Sequence, residues 1–423
     1  MSAPNAAAME RLAAAEPVLV DVVPARAAFP EGDGMLLLHS GPPIAVADLP
    51  GCTRGAIAAI AIDEGWADSP EAALALLDAG DIALAPGHDR GVVAPVCGVV
   101  GPSSPVFVVR NEAADKVAYC PLNEGRGAVA RYGVYEPRVL EQLRWLRTDL
   151  APLLGRLLRS AGGLALVPLL SEALHMGDDL HNRTKAFTAA LYRELSLRGT
   201  AAGLLPATTA PALEFVARSD VFGVAAVMAA CKAMLLALEG VPGSSVVTTM
   251  AQNGHEFGIR VAGLPGRWFT APAPRVEGVI QPPWKDDEAA LGIGDSVITE
   301  CVGFGGFATV GAPAIYRYIG GDIGRAREIA EAMYGITLAE DRRFAIPVIG
   351  YRGVASGIDA ALVAAGEVTP IANAGMSHKD AGVGQIGAGY VVTPRQPFAD
   401  AVAALEAAGR SAGRLAEEPS ART

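Results

Sequence analysis

Basic runs are missing from this chain. Its 423 residues hold 34 Lys or Arg against 45 Asp or Glu, a formal charge of −11. Nucleic acid and anionic membrane surfaces both need clustered cations, so neither is expected as a partner. Uninterrupted apolar spans are missing too. A stretch such as Val221–Leu238 carries Lys232 and reads as a buried helix, not a membrane crossing. Residues 1–17 show no basic region followed by an apolar core, which argues against a secretory leader. Cysteine is scarce: Cys52, Cys97, Cys120, Cys231 and Cys301 are odd in number, widely spaced and free of any C-x-x-C pair. That pattern predicts reduced thiols in a cytoplasmic protein and no structural zinc. With no G-x-S-x-G elbow, a Ser/His/Asp triad is not expected, and with no H-E-x-x-H neither is a metalloprotease-type site. Apolar residues (51%), glycine (49) and proline (30) are what the chain has in plenty. They supply a large core and many turns.

Along the chain the pattern predicts an α+β fold of two mixed α/β lobes with an intervening helical subdomain. Residues 1–135 read as the N-terminal lobe. A helix is expected at Ala6–Ala15, then buried strands at Val18–Val23 and Met35–Leu38. Helices follow at Arg54–Glu64 and Pro70–Leu77, the second capped by Ser69 with Pro70 in the first turn. Further strands are expected at Ile82–Ala85, Val106–Arg110 and Val117–Cys120. Residues 136–205 turn helical, with leucines at helical spacing from Leu140 to Leu154. A helix over Leu164–Leu174 and another from Asp178 or Asp179 to Leu197 complete that segment. Residues 206–410 form the C-terminal lobe. It opens on one long helix over Pro211–Leu238, then a hairpin turning at Asn253-Gly254. Helices at Pro313–Ile319 and Ile323–Met333 and strands at Ile346–Ile349 and Ile371–Ala374 are expected further on. Residues 411–423 read as a disordered tail.

Charged residues stand among apolar neighbours in a few places, where desolvation demands a partner or a ligand. The segment Leu174–Arg183, LHMGDDLHNR, gathers His175, Asp178, His181, Asn182 and Arg183. Asp178 reads equally well as the cap of a following helix. A metal is not expected, because His175 and His181 fall on different faces of a helix. In the hairpin, strand alternation puts Glu256 and Arg260 on one face. They could simply pair with each other there, or Arg260 could join Lys232, Arg267 and Arg275 in an anion site. Gly303–Phe307 follows Asp295 and Glu300 and could present backbone N–H groups to an oxyanion, or be only a tight turn. The G-x-G-x-x-G at Gly382, Gly384 and Gly387 is not read as a dinucleotide loop, because GYVVTPRQP continues as a strand. His378-Lys379 just before it is a candidate substrate contact. His39, His88 and Asn123-Glu124-Gly125 read as loop positions.

The motifs MGDDLHNR, MAACKAM, AQNGHEFGIRV, RWFTAPAP, GDSVITE, GFGGFA and HKDAGVGQIGAG, in this order, resemble the YlbE-like family. The resemblance runs from PVLVDVVPA and HSGPP through GQIGAG. Members are similar to the AllG-type subunit of oxamate carbamoyltransferase. The resemblance therefore implies a subunit of a carbamoyltransferase that converts oxalurate and phosphate into oxamate and carbamoyl phosphate in allantoin breakdown. It also implies an FdrA-like partner subunit, a third small subunit and self-association, with no cofactor. Leu180 stands where the family tends to have cysteine, which argues against an essential thiol there, and Gln252 stands where arginine is common. On this reading Arg183, Lys232, Arg260 and Lys379 bind anions, while Asn182, Asn253, Asp295, Glu300 and His378 contact substrate. His181, Asp178 and Glu256 handle or orient protons. Two alternatives stand beside it. One is a non-catalytic scaffold subunit of such a complex; the other is a stand-alone amidohydrolase of small ureido compounds, metal-assisted through His175, His181 and Asp178.

Overall fold

The computed structural model describes residues 1–29, 34–160, 162–204 and 206–417. It is an α+β protein built around one helix, Val224–Leu236, in which every residue from Val224 to Leu235 is buried. A helix apolar on all sides belongs in the middle of a core. One side packs on a four-stranded antiparallel sheet ordered Lys116–Pro121, Pro105–Asn111, Pro17–Pro24, Leu164–Ala165. The other side meets the short helix Ile298–Val302 and the strand Val247–Asn253. That strand belongs to a second antiparallel sheet, ordered Phe269–Pro272, Glu256–Val261, Val247–Asn253, Ile293–Gly294. The largest core cluster joins Leu19 and Phe107, Leu170 and Leu191, and Phe257 and Phe304. All three sequence segments thus share one interior.

The remaining sheets are small. Leu36–His39 pairs in parallel with Ala83–Pro86, the crossover being made by the helices Gly51–Asp63 and Pro70–Ala79. Ser69 caps the second of these, its hydroxyl accepting from Ala72 N at 3.2 Å. Gln385–Val392 runs between Glu277–Ile280 and Ile371–Ser377, and Thr337–Ile346 pairs with Arg352–Ile358. Helices Pro137–Trp145, Ala151–Arg159, Val167–His175, Lys185–Ala201 and Pro206–Arg218 precede the central helix. Among the described residues no helix is long and apolar enough to cross a membrane.

Four sequence expectations need correction. The helix placed over Pro211–Leu238 is two helices, broken between Arg218 and Val224. The helix placed from Asp178 begins at Lys185, because Leu180 takes a left-handed backbone (φ +64°) that a right-handed helix cannot contain. The strand expected at Ile346–Ile349 ends at Ile346 and gives way to a helical turn at Pro347–Ile349. The last helix, Gln396–Glu417, continues past Arg410, so the tail expected to be disordered from 411 is helical through 417. Residues 418–423 lie outside the described residues.

Candidate functional site

The loop Asp178–Thr184, left open by the late start of its helix, gathers the polar side chains of the LHMGDDLHNR motif. Asp178 and Asp179 fix it in opposite directions. Asp178 Oδ2 accepts from Phe187 N at 2.8 Å, so this carboxylate caps the following helix, and Arg183 Nε lies 3.3 Å from its Oδ1. Burial pushes its pKa up to about 7, against the pull of the Phe187 and Ala186 N–H groups. Asp179 Oδ1 accepts from His181 N and Arg183 N at 2.9 and 2.8 Å, and its Oδ2 accepts from Asn373 Nδ2 at 2.7 Å. The loop is thereby pinned on both sides, and His181 is turned toward Glu300.

His181 Nδ1 lies 2.8 and 3.1 Å from the two Glu300 oxygens, with both side chains buried. Glu300 also accepts from Gly306 N at 3.0 Å, Asn373 N at 2.9 Å and Thr299 Oγ1 at 2.9 Å. The glycine-rich loop Gly303–Phe307 therefore cradles the protein's own carboxylate and not a substrate oxyanion, which corrects the sequence expectation. A side chain at Gly305 would collide with Glu300. Burial lowers the His181 pKa, but the charge and hydrogen bond of Glu300, then the charge of Asp179, outweigh it and hold the value above the ordinary 6.5. Its Nε2 makes no hydrogen bond within the described chain, and the residue lines a cavity.

That cavity, about 40 Å³, is lined by Arg126, Arg131, Tyr132, His181, Asn182, Ser296 and Gln385 on its polar side. Pro95, Val96 and Val224 add apolar surface. Space of this size holds a few water-sized groups, so the site suits a small polar molecule. Arg131 is almost fully buried, with Nε and Nη2 donating to Gly125 O. Val96 is held at φ +55°, costly for a β-branched residue and most often found at functional sites. Ser40 Oγ donates to Val96 O at 2.9 Å, Cys97 N donates to Arg131 O at 3.1 Å, and Gly294 leaves no room for a side chain against Val96. An adjoining cavity of about 280 Å³ shares Arg126, Asn182 and Ala388 with the first and is lined further by Arg183, Lys185 and Arg317.

Other candidates lie elsewhere. Lys232, Arg260 and Asp295 form a second buried centre with His88. Asp295 accepts from Gly41 N and Ala94 N at 2.7 and 2.8 Å, and its Oδ1 is 3.1 Å from His88 Nε2. Arg260 pairs with Asp89 and stacks 4.2 Å from the Trp268 ring. It does not pair with Glu256, which accepts instead from Thr270 Oγ1 at 2.9 Å. Asn253 is a turn residue: its Oδ1 accepts from His255 N and Glu256 N, and the left-handed position is Gly254 (φ +83°). His378 Nδ1 accepts from Asp380 N, and exposed Lys379 donates to Asp287 O at 3.0 Å. His175 packs on the Tyr351 ring and Asp178 faces its helix, so the trio offered for a metal is not assembled. Among the described residues no group of three His, Cys, Asp or Glu could hold a metal ion. Of the expected site residues, only His181, Asn182 and Arg183 line the cavities, with Glu300 buried behind His181. Arg126, Arg131, Ser296 and Gln385 were missed as candidates, although Ser296 and Gln385 stand inside GDSVITE and GQIGAG.

Residues 82–296 match the family model described as oxamate carbamoyltransferase subunit AllG. A protein of that name from Escherichia coli K12 is 38% identical over 404 residues, 95% of this chain and 96% of its own. The chain belongs to the AllG family. A second E. coli K12 member, the uncharacterized protein YahG, is also 38% identical, over 95% of this chain and 85% of its own. The crystal structure of a conserved protein of unknown function from Enterococcus faecalis V583 superposes with a TM-score of 0.92 at 35% identity. It covers 96% of this chain and 97% of that one. The AllG-family match spans Arg126, Arg131, His181, Asn182 and Ser296, while Glu300 and Gln385 lie beyond it.

Proposed function

We propose that this chain is a subunit of a carbamoyltransferase of the oxamate carbamoyltransferase type, and that its inner cavity receives the carbamoyl donor. One observation carries the reading. A buried histidine, clamped through Nδ1 by a buried glutamate, lines a small cavity that also presents two arginines. Oxalurate is a small planar anion, and Arg131 with Arg126 suits its carboxylate. Attack of a phosphate oxygen forms the new O–C bond at the carbamoyl carbon. The C–N bond to oxamate breaks, and the departing nitrogen needs a proton. His181 is the candidate donor, since its raised pKa keeps the acid form available near neutrality. Turnover then falls as pH rises through that pKa. Partner subunits belong to this reading because the named relative is itself a subunit, and the family resemblance makes them an FdrA-like chain and a third small one.

The test is carbamoyl phosphate formation from oxalurate and phosphate by the co-expressed subunits, with the wild-type chain and with Arg131→Ala. Loss of turnover in an assembled complex supports the transfer reading. Retained turnover favours a scaffold role for this chain, and no turnover even in wild type points to another substrate.

A further inference from the structure

The outer cavity has a charge pattern of its own. Arg126, Arg183, Lys185 and Arg317 line it against one carboxylate, Asp220, in a chain whose net charge is −11. A positive hollow on an acidic protein is not a by-product of composition. Two of these cations are partly neutralised. Arg183 Nε lies 3.3 Å from Asp178, and Lys185 Nζ lies 3.3 Å from Asp220. The other two have no carboxylate partner among the described residues. Arg126 Nη2 donates to Asn182 O at 2.9 Å, and Arg317 donates to the Tyr318 hydroxyl at 2.6 Å while stacking on its ring. Each arginine keeps further N–H groups for a ligand. The cavity also lies at the start of the helix Lys185–Ala201, whose dipole adds positive potential there.

We infer that this outer cavity is a separate subsite for a small, doubly charged oxyanion of the phosphate type. Its volume of about 280 Å³ accommodates a molecule of that class. It shares Arg126, Asn182 and Ala388 with the inner cavity, so an anion seated there is a neighbour of whatever the inner cavity holds. As the seat of the transfer acceptor the subsite rests on the proposed function; as an anion site it does not.

Calorimetric titration of inorganic phosphate into the full chain at low ionic strength tests it, because exposed cations are screened by salt. We expect one phosphate per chain, bound about tenfold more weakly by Arg317→Gln and nearly unchanged in Arg131→Ala. Oxamate, as a probe of the inner cavity, gives the reverse pattern. Formate, a monoanion, binds the outer cavity more weakly than phosphate. Equal phosphate affinity in wild type and Arg317→Gln overturns the inference, as does loss in Arg131→Ala alone or no binding at millimolar phosphate. Phosphate bound in the expected pattern by a complex that transfers no carbamoyl group sinks the transfer reading and leaves the subsite standing.

Discussion

Two buried histidine–carboxylate pairs sit in this molecule, and they are in opposite electrostatic states. His181 faces Glu300 with Asp179 nearby, and its pKa is raised. His88 faces Asp295, but burial lowers its pKa against the pull of Asp295, and the charges of Lys232 and Arg260 lower it further. Protonation is favoured at the first ring and disfavoured at the second. Access differs in the same sense. His181 belongs to a cavity wall, whereas the His88 side chain is fully buried and its Nδ1 has no bonding partner. The second pair still serves the first. Asp295 holds Ala94 N and is itself followed by Ser296, and both Ser296 and Pro95, the neighbour of Ala94, line the inner cavity.

Exchanging the histidines for amides gives the largest separation. His181→Asn keeps a donor where Nδ1 bonds Glu300 and removes Nε2. Turnover of the assembled complex is expected to fall by about 10²–10⁴ with the fold retained. His88→Gln keeps a donor near Asp295, and turnover should change by about threefold or less while stability drops by about 1–3 kcal/mol. Turnover and denaturant midpoint measured on both variants decide the matter. Equal losses of turnover would erase the distinction between the two centres.

Asp178 adds a pH test on the His181 side. Its folded pKa of about 7 stands above the ordinary 3.8 because burial favours the protonated acid. The fold therefore gains from protonation, a contribution fully present below about pH 4 and lost as pH rises through about 7. The amide introduced by Asp178→Asn stays neutral throughout. The stability of that variant relative to wild type should then climb between those limits, by up to about 1.4 kcal/mol per pH unit, and level off above. A difference that is flat with pH would show that Asp178 is ionised in the fold.

Lys232 tests the other centre. Its ammonium is fully buried, lacks a hydrogen-bond partner and lies 3.7 Å from Glu239, and burial lowers its pKa. Removing such an unbonded ammonium lifts its desolvation cost, and its partner Glu239 keeps access to solvent, so no charge is left stranded in the core. Lys232→Met is accordingly expected to leave the denaturant midpoint unchanged or raise stability by about 1–2 kcal/mol. A large loss would mean that the ammonium holds the wall together.

Much of this was legible beforehand. Strands at Val18–Val23 and Val106–Arg110, the Ser69 cap and the hairpin over Val247–Val261 followed from alternation and turn chemistry. His181 and Glu300 stood out as well, as polar groups among apolar neighbours. Which charges would meet was not legible. Lys232 and Arg260 look in sequence like the better anion site, yet their partners, Glu239 and Asp89, are supplied by other segments. Arg131 looks like an ordinary loop arginine, and only the packing of Val96 and Cys97 makes it a buried cavity residue. The left-handed turn at Leu180 has no glycine to announce it, so the pattern alone runs the helix back to Asp178 and places His181 on its face.

Glu256 gives the smallest expected effect, and through it the comparison acquires an outer limit. Strand alternation put Glu256 beside Arg260 and made it a proton-handling candidate. In the fold it is half-buried at the start of its strand, bonded to Thr270, while Arg260 is committed to Asp89 and Trp268. It lines neither cavity. Glu256→Gln preserves the acceptor for Thr270 and removes only the charge. Turnover should stay within about twofold and stability within about 0.5 kcal/mol of wild type. A tenfold loss of turnover with the midpoint unchanged would carry the chemistry out to the hairpin and make the two centres one extended site. Unchanged turnover leaves the hairpin outside the proposed site, whose proton-transfer candidate stays on the loop that Asp179 pins.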